Sequence, residues 1–536
     1  MPNRPDTPRR PVRRRPVICR VAAVMLLGVV TVAGMQSAAF ARPLASPVDP
    51  QVRSAPAALN LLPDFQREIE RLIEAATLGS AVVGVSIVDS STGRTLTDIR
   101  ADEPRIPASN MKLLTSGTAL HVMGPEFRYR TRLLHDGDRL VVLGDGDPCF
   151  GDPVLLDETR IGQDVGIDAE DLLSAWVDAV KQRGIERIET LVVDDRIFDR
   201  DMVHPGWPRD QLHRHYCAGV AGVNFHANVL HYFPFPNPGG RAQAGPSVPE
   251  ANWITVSSQA SSDRDGANQA YIIRAPGPDS LRLMGNVRSR FGVPIPITVE
   301  DPSLFFARLL LERLRTAGVE VGEARLATTM DRAATGDLVG PIIATRMETV
   351  LERCNTDSFN LAAESLLKRS AAARGQVPGS FAGGAAVIRS VIAERLGDTS
   401  VQARIVISDG SGLSRSNAVP PSLLTAWLRS FDTDEELGPI FRASLATPGN
   451  SGTLARRLPR LPSGITLRAK TGFINNVSCL SGYVEGPTGT LCFSVMVNDF
   501  KRTAGPAKSL QDGIVKLMAE GLADAARRSV TEAAGR

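Results

Sequence analysis

Apolar positions along this chain alternate between two periods, and the change of period marks its elements. Phe65, Ile69, Leu72 and Ile73 recur at helical spacing, which predicts a helix over 61–78. Residues 81–88 and 95–99 are rich in β-prone side chains and flank Ser90-Ser91-Thr92-Gly93, the pattern of a β-hairpin. Pro107-Ala108 then leads into a second helix that starts near Ser109 and carries Leu113, Leu114 and Leu120. At the far end, strands are predicted at 466–474, 477–484 and 490–497, the last two joined by Gly486-Pro487-Thr488-Gly489. A closing helix over 507–526 puts Leu510, Ile514, Leu517, Met518 and Leu522 on one face. Hairpin and helix from one end, three strands and a helix from the other, make one antiparallel sheet built by both ends of the chain.

The middle has another character. Between Leu120 and about Val339, short strand-like runs (139–143, 190–194, 253–258, 271–274, 281–287) alternate with Gly and Pro clusters, and one helix, 302–316, closes the stretch. A β-rich insertion within a catalytic domain accounts for it. The organisation expected is a signal peptide over 1–41, a linker over 42–56, a catalytic domain in two parts (57–124 and 339–528), inserted β-rich domains over 125–338, and a flexible tail over 529–536.

Composition sharpens this in three places. The chain has 536 residues, 43% hydrophobic and 22% charged, as an ordinary globular protein does. Its net charge of +3 is misplaced as a guide to partners. Seven arginines against the single acid Asp6 put +6 into residues 1–41, so the remainder carries −3 and nucleic-acid binding is not indicated. That basic stretch precedes an apolar run, Val21 to Met35, and the small-x-small site Ala39-Phe40-Ala41, the layout of an export signal. About 15 residues is short for a membrane span, which needs ~20. Export to the periplasm or cell envelope is expected, with peripheral membrane association left open. Five cysteines follow the signal (Cys149, Cys217, Cys354, Cys479, Cys492), an odd number more in keeping with small buried hydrophobes than with bridges; a Cys149–Cys217 bridge is left undecided.

Three strings carry the chemistry. In Ser109-Asn110-Met111-Lys112 the lysine stands one helical turn from the hydroxyl, where its amine can take the proton of a nucleophile. The amine serves as a base only if burial or a second cation lowers its pKa, and Lys470 is expected to supply that cation. Ser109 sits at a helix start, where backbone N–H groups favour developing negative charge. In Ser358-Phe359-Asn360, the hydroxyl can relay a proton to a leaving amine and the Asn360 amide can hold a substrate amide. Lys470-Thr471-Gly472 lies on a strand that can add an extended peptide at its edge. Lys470 and Thr471 would bind a carboxylate and Gly472 would let the substrate backbone approach. The backbone N–H groups of Ser109 and Phe473 would form an oxyanion hole. No metal and no organic cofactor is required.

The ordered trio is the S-x-x-K, S-x-N, K-T-G set of penicillin-recognising enzymes. The chain resembles one family among them, the penicillin-binding protein 4 type of D-alanyl-D-alanine carboxypeptidase/endopeptidase, a class C low-molecular-mass penicillin-binding protein. Pro107 to Leu113 (PASNMKL), Asn355 to Glu364 (NTDSFNLAAE), Asp409 to Arg415 (DGSGLSR), Gly452-Thr453-Leu454 and Lys470 to Val484 (KTGFINNVSCLSGYV) carry the resemblance. So do Gly144-Asp145-Gly146-Asp147-Pro148 and Val192 to Phe198 within the insertion. The separation of about 250 residues between Ser109 and Ser358 also matches that family, which carries large domains there. Phe359 departs from it, replacing a central Asp. The resemblance implies an α+β penicillin-binding-protein/serine β-lactamase-like transpeptidase fold, an antiparallel sheet flanked by helices plus a helical subdomain. It implies peptidoglycan stem peptides as substrates and β-lactam antibiotics as acylating ligands.

Competing readings are each tied to residues. Ser411 and Ser451 lie in Gly- and Ser-rich strings but do not fit the nucleophile elbow of triad hydrolases. A β-lactamase would need a deacylating carboxylate, and Glu394, about 36 residues past Ser358, is read instead as a surface helix acid. His213-x-His215-x-Cys217 would alternate on one strand face and so invites a zinc reading, against which stands a loop-rich insertion with scattered histidines. A non-catalytic peptidoglycan-binding protein is the remaining alternative. Asp147 is weighed as a residue that borders the cleft and reads a charged stem side chain, against a turn acid capping its own backbone.

Overall fold

The computed structural model describes residues 65–159, 167–277, 279–397, 404–450 and 452–534. The expected signal peptide and linker lie outside them. Among the described residues, no helix is long and apolar enough to cross a membrane.

Both ends of the chain build one five-stranded antiparallel sheet. Its order is Thr466–Ile474, Val477–Gly486, Gly489–Asn498, Val82–Asp89, Thr95–Ile99. The two central strands are buried on both faces, and their residues sort by parity as a pleated strand requires. Leu480, Val484, Leu491, Phe493, Val495 and Val497 face the Phe65–Ala75 and Gly505–Ala534 helices. Val477, Cys479, Tyr483, Cys492 and Met496 face the other way, into a core shared with the helices Met111–Met123, Met347–Asn355, Asn360–Ala373, Phe381–Leu396 and Pro421–Asp432. This helical layer is packed to contact: a Cβ on Gly117 would fall 2.8 Å from the Trp427 ring, whose Nε1–H donates to Leu113 O at 2.9 Å. Cys492 pairs across from Tyr483 and Cys479 across from Met496, so the two thiols are out of register. All five described cysteines are free, and Cys149 and Cys217 are not bridged.

Residues between the Met111–Met123 helix and the Met347–Asn355 helix form three more sheets. The largest runs Glu320–Leu326, Arg187–Asp194, Arg139–Leu143, Arg128–Asp136, Asp337–Leu338, with Ile343–Arg346 also paired to Arg128–Asp136. Two of its pairings are parallel and need crossover connections. Pro302–Thr316 is one crossover helix; Ala169–Gln182 is another helix of this region, where one alone was expected. Asp168 caps it through a full capping box with Asp171, and Leu173, Trp176, Val177 and Val180 give it a buried face. Two three-stranded sheets complete the region.

Two further expectations are corrected. His215–Cys217 is a short 3₁₀ turn, so His213, His215 and Cys217 do not share a strand face. The last helix runs Gly505–Ala534, so residues 529–534 are helical rather than a tail; alanines and glutamate there propagate a helix once its amphipathic part is docked.

Candidate active site

Ser109 lies in a 3₁₀ turn, Ala108–Asn110, that runs directly into the Met111–Met123 helix. Ala108 holds a positive φ of 46°, a strained entry that turns the following residue out of the helix axis. The strand Thr466–Ile474 passes against this turn. A Cβ on Gly472 would lie 2.8 Å from Pro107 O and 3.0 Å from Asn110 Oδ1, so glycine is what lets strand and turn meet. Asn110 ties the turn to the sheet through Ser481 Oγ at 2.6 Å. From the third side, Gly412 of the Asp409–Arg415 loop approaches so closely that its Cβ would fall 1.8 Å from Ala108 O.

Lys112 is fully buried. Its Nζ lies 3.0 Å from Ser109 Oγ, 2.7 Å from Asn360 Oδ1 and 2.8 Å from Ser411 O. Two of these partners, a carboxamide oxygen and a backbone carbonyl, can only accept. Burial lowers the amine to about 8, opposed by Cys354, Glu364 and Asp409. Lys470, also fully buried, donates to Thr471 O at 2.8 Å. Burial first, and then the Lys112 ammonium, hold Lys470 well below the ordinary lysine range. Burial, rather than the Lys470 cation expected to do so, is what chiefly lowers Lys112, and the repulsion between the two lysines adds to the lowering of Lys470.

Ser358 and Asn360 stand between the Met347–Asn355 and Asn360–Ala373 helices, Ser358 with φ of 63°. Arg353 fixes this loop by pairing with Asp357 and with buried Asp152, and its guanidinium lies 4.8 Å from the Phe359 ring centroid. Phe359, the departure from the family string, thus serves as an aromatic seat for Arg353. Asn360 differs from expectation. Its Oδ1 accepts from Lys112 and its Nδ2 donates to Tyr216 O at 2.8 Å, so both ends of the amide first serve the protein.

Ser109, Ser358, Asn360 and Phe473 line one cleft of about 930 Å³. Phe473 is 56% exposed at its mouth. The opposite wall comes from Gly206, Pro208, Gln211 and Tyr216 of the insertion, and Leu413, Arg415 and Ser416 close the side, with Arg415 donating to Asn475 O at 2.7 Å. Lys470, Thr471 and Gly472 are not among the residues that line the cleft: Lys470 and Gly472 are buried and Thr471 is half-buried on the strand that ends in Phe473 and Ile474. Sequence reasoning assigned no role to Glu364, Tyr216 or Arg415, although Glu364 and Arg415 lay inside quoted strings.

Other residues weighed earlier lie elsewhere. Asp147 is buried and does not border the cleft; it accepts from Cys149 N at 2.9 Å and Thr345 Oγ1 at 2.7 Å, as a turn acid capping its own backbone. Gly146 beside it packs against Phe198, which brings the two insertion strings together. Glu394 pairs with Arg374 and His121 on the surface of the Phe381–Leu396 helix. Among the described residues, no group of three His, Cys, Asp or Glu is arranged to hold a metal ion.

A lysine amine aimed at a serine hydroxyl in a strand-edged cleft is an arrangement for acyl transfer, and the sheet-and-helix frame around it is the penicillin-binding-protein and serine β-lactamase fold. The chain belongs to the D-Ala-D-Ala carboxypeptidase 3 (S13) family, which it matches over residues 65–520. It is accordingly a serine-type D-Ala-D-Ala carboxypeptidase, a hydrolase. It is 28% identical over 489 residues to the D-alanyl-D-alanine carboxypeptidase of Actinomadura sp. (strain R39), covering 86% of this chain and 85% of that protein. With D-alanyl-D-alanine carboxypeptidase DacB of Haemophilus influenzae it shares 23% identity over 438 residues, 78% of this chain and 85% of the other. The crystal structure of penicillin-binding protein 4 (dacB) from Haemophilus influenzae superposes with a TM-score of 0.68 at 20% identity, covering 84% of this chain and 99% of that one.

Proposed function

We propose that this chain removes the terminal D-alanine from peptidoglycan stem peptides through an acyl-enzyme on Ser109. The observation that carries this reading is the set of three partners around Lys112 Nζ. A neutral amine has two N–H bonds and one lone pair. Asn360 Oδ1 and Ser411 O accept the two hydrogens, which leaves the lone pair for Ser109 Oγ–H. The cradle thus selects the direction of proton transfer.

Lys112 takes the Ser109 proton as Oγ attacks the penultimate carbonyl carbon. The oxyanion is met by the backbone N–H groups of Ser109 and Phe473, and Gly472 allows that approach. Ser358 passes a proton to the departing D-alanine nitrogen as the C–N bond breaks. The substrate carboxylate sits against Lys470 and Thr471. Its arrival restores the Lys470 charge that burial suppresses, and that cation then favours the neutral form of Lys112. Water cleaves the ester and releases the shortened stem. A β-lactam acylates the same oxygen, and the Haemophilus influenzae homologue has been solved with a β-lactam bound. If the leaving amine belongs to a cross-link, the same steps are endopeptidase cleavage.

The chain is exported, residues 1–41 acting as its signal, and works in the periplasm or cell envelope. The segment over 125–338 forms inserted domains that shape one wall of the cleft. Incubation with purified cross-linked muropeptides, wild type against Ser109→Ala, tests the reading. Free D-alanine or split dimers are expected from the wild type alone; neither product from the wild type refutes it.

A further inference from the structure

Glu364 is a buried carboxylate that the mechanism above leaves unused. It stands one helical turn after Asn360 and faces the backbone of the Asp409–Arg415 loop. Its Oε2 accepts from Gly410 N and its Oε1 from Ser411 N, both at 2.8 Å. The other side of the same short stretch faces the Met111–Met123 helix: Gly410 O accepts from Thr115 Oγ1 and Ser411 O from Lys112 Nζ, each at 2.8 Å. The loop is therefore a layer one backbone thick, with Glu364 on its N–H side and Lys112 on its carbonyl side. Gly410 makes the layer thin enough, since a Cβ there would meet Ala363 O at 2.8 Å.

A second carboxylate, Asp409, lies in the same pocket with a different set of partners. Its two oxygens accept from Gly412 N, Asn417 Nδ2, Ser414 N and Trp207 Nε1, one donor for each lone-pair site. Glu364 has two backbone donors and the Ser411 hydroxyl, so it retains room for a proton. Burial, and then the Asp409 charge, push Glu364 up to about 8, close to where burial brings Lys112. The groups that face this pair are Cys354 from the Met347–Asn355 helix, Lys368 from the same helix as Glu364, Asp409 from the loop and Lys470 from the sheet.

We propose that Glu364 is a positioning residue for the base: by holding the Gly410 and Ser411 N–H groups it fixes the Ser411 carbonyl against which the Lys112 amine is aimed. The inference rests on Ser109 and Lys112 acting as assigned above. Glu364→Gln exchanges one acceptor for a donor facing a backbone N–H, which loosens the loop and takes Ser411 O off Lys112 Nζ. An ammonium that loses an acceptor gives up its proton more readily, so the neutral base appears at lower pH.

The test is the acylation rate by a fluorescent penicillin, followed against pH for wild type, Glu364→Gln, Glu364→Asp and Ser109→Ala. In Glu364→Gln the acid limb is expected to move down by about one unit, with a plateau about tenfold lower. Glu364→Asp, which keeps two acceptors for the Gly410 and Ser411 N–H groups, should leave the limb in place and lower only the plateau. A Glu364→Gln limb that stays where wild type has it overturns the proposal, whatever happens to the plateau. Labelling that persists in Ser109→Ala removes the underlying reading and this proposal with it. Should Glu364→Gln not fold, ¹⁵N NMR of the wild type decides: the Gly410 and Ser411 amide signals must shift as Lys112 titrates, and signals unchanged from about pH 6 to 10 overturn the proposal.

Discussion

The base role proposed for Lys112 rests on Ser109, one helical turn away, and on partners from two distant parts of the chain. Asn360 Oδ1 and Ser411 O occupy its hydrogens and leave the lone pair on Ser109. Its amine lies at about 8, so the fraction of neutral base grows as pH rises through that value. Acylation of wild type is therefore expected to increase from pH 6 and level off above about 8, with the limb absent in Lys112→Arg, whose guanidinium keeps its proton. Stopped-flow acylation across pH checks both. Lys112→Ala should slow acylation by about 10³-fold, the usual worth of a positioned base, and an unaffected rate would remove lysine from the mechanism. The Ser109–Lys112 pair was legible because both partners lie on one helical turn. Asn360 lines the cleft, but its orientation was not legible, since nothing local says that Tyr216 O, on another segment, takes its N–H. Glu364 stood inside a quoted string without a role for the same reason: its partners are Gly410 and Ser411, far along the chain.

The site exists only because a strand, a turn and a loop approach one another more closely than side chains allow. Gly472 carries that approach for the strand. In Gly472→Ala the new Cβ would press on Pro107 O and Asn110 Oδ1, and the strand or the Ser109 turn must yield by a fraction of an ångström. Acylation is expected to fall about 100-fold, because misplacement of that size is costly where atoms must align. Thermal unfolding should change little by comparison, since strand pairing of Lys470–Phe473 with Ser478–Ser481 is untouched. Equal activity in the variant would show that the hole does not depend on this contact. Elements themselves were readable where period and punctuation agreed, as in the terminal sheet with its parity-sorted faces. The Ala169–Gln182 helix was missed although Asp168, Asp171 and the spacing of Leu173, Trp176, Val177 and Val180 announced it. The histidine stretch failed differently. Alternation over five residues suggested a strand, but the segment meets the end of strand Ile295–Thr298 through His213 O alone and otherwise settles into 3₁₀ turns.

The insertion is joined to the catalytic helices by charge as well as by packing. Asp145 pairs with Arg369, Asp152 with Arg353 and Asp199 with Lys368, so that acids of the insertion meet bases on the two helices flanking Ser358. Lys368 is the most exacting of these bases. It is fully buried, its Nζ donates to Asp199 at 2.6 Å and to Asp201 O at 2.8 Å, and it lies 4.4 Å from the Phe381 ring centroid. A few residues on, the same segment becomes the cleft wall of Gly206, Pro208, Gln211 and Tyr216. Asp199→Ala would strand the Lys368 charge, at an expected cost of about 3 kcal/mol in chemical denaturation. It should also let the wall shift. A compact β-lactam needs little beyond Ser109 and the Lys470 strand, whereas an extended stem peptide reaches that wall. The KM for a stem peptide is therefore expected to rise severalfold while penicillin acylation stays near wild type. Loss of stability with both kinetic constants unchanged would make the pair purely a fold anchor. Loss of penicillin acylation in equal measure would place the wall's influence on Ser109 itself, through Tyr216 O and Asn360.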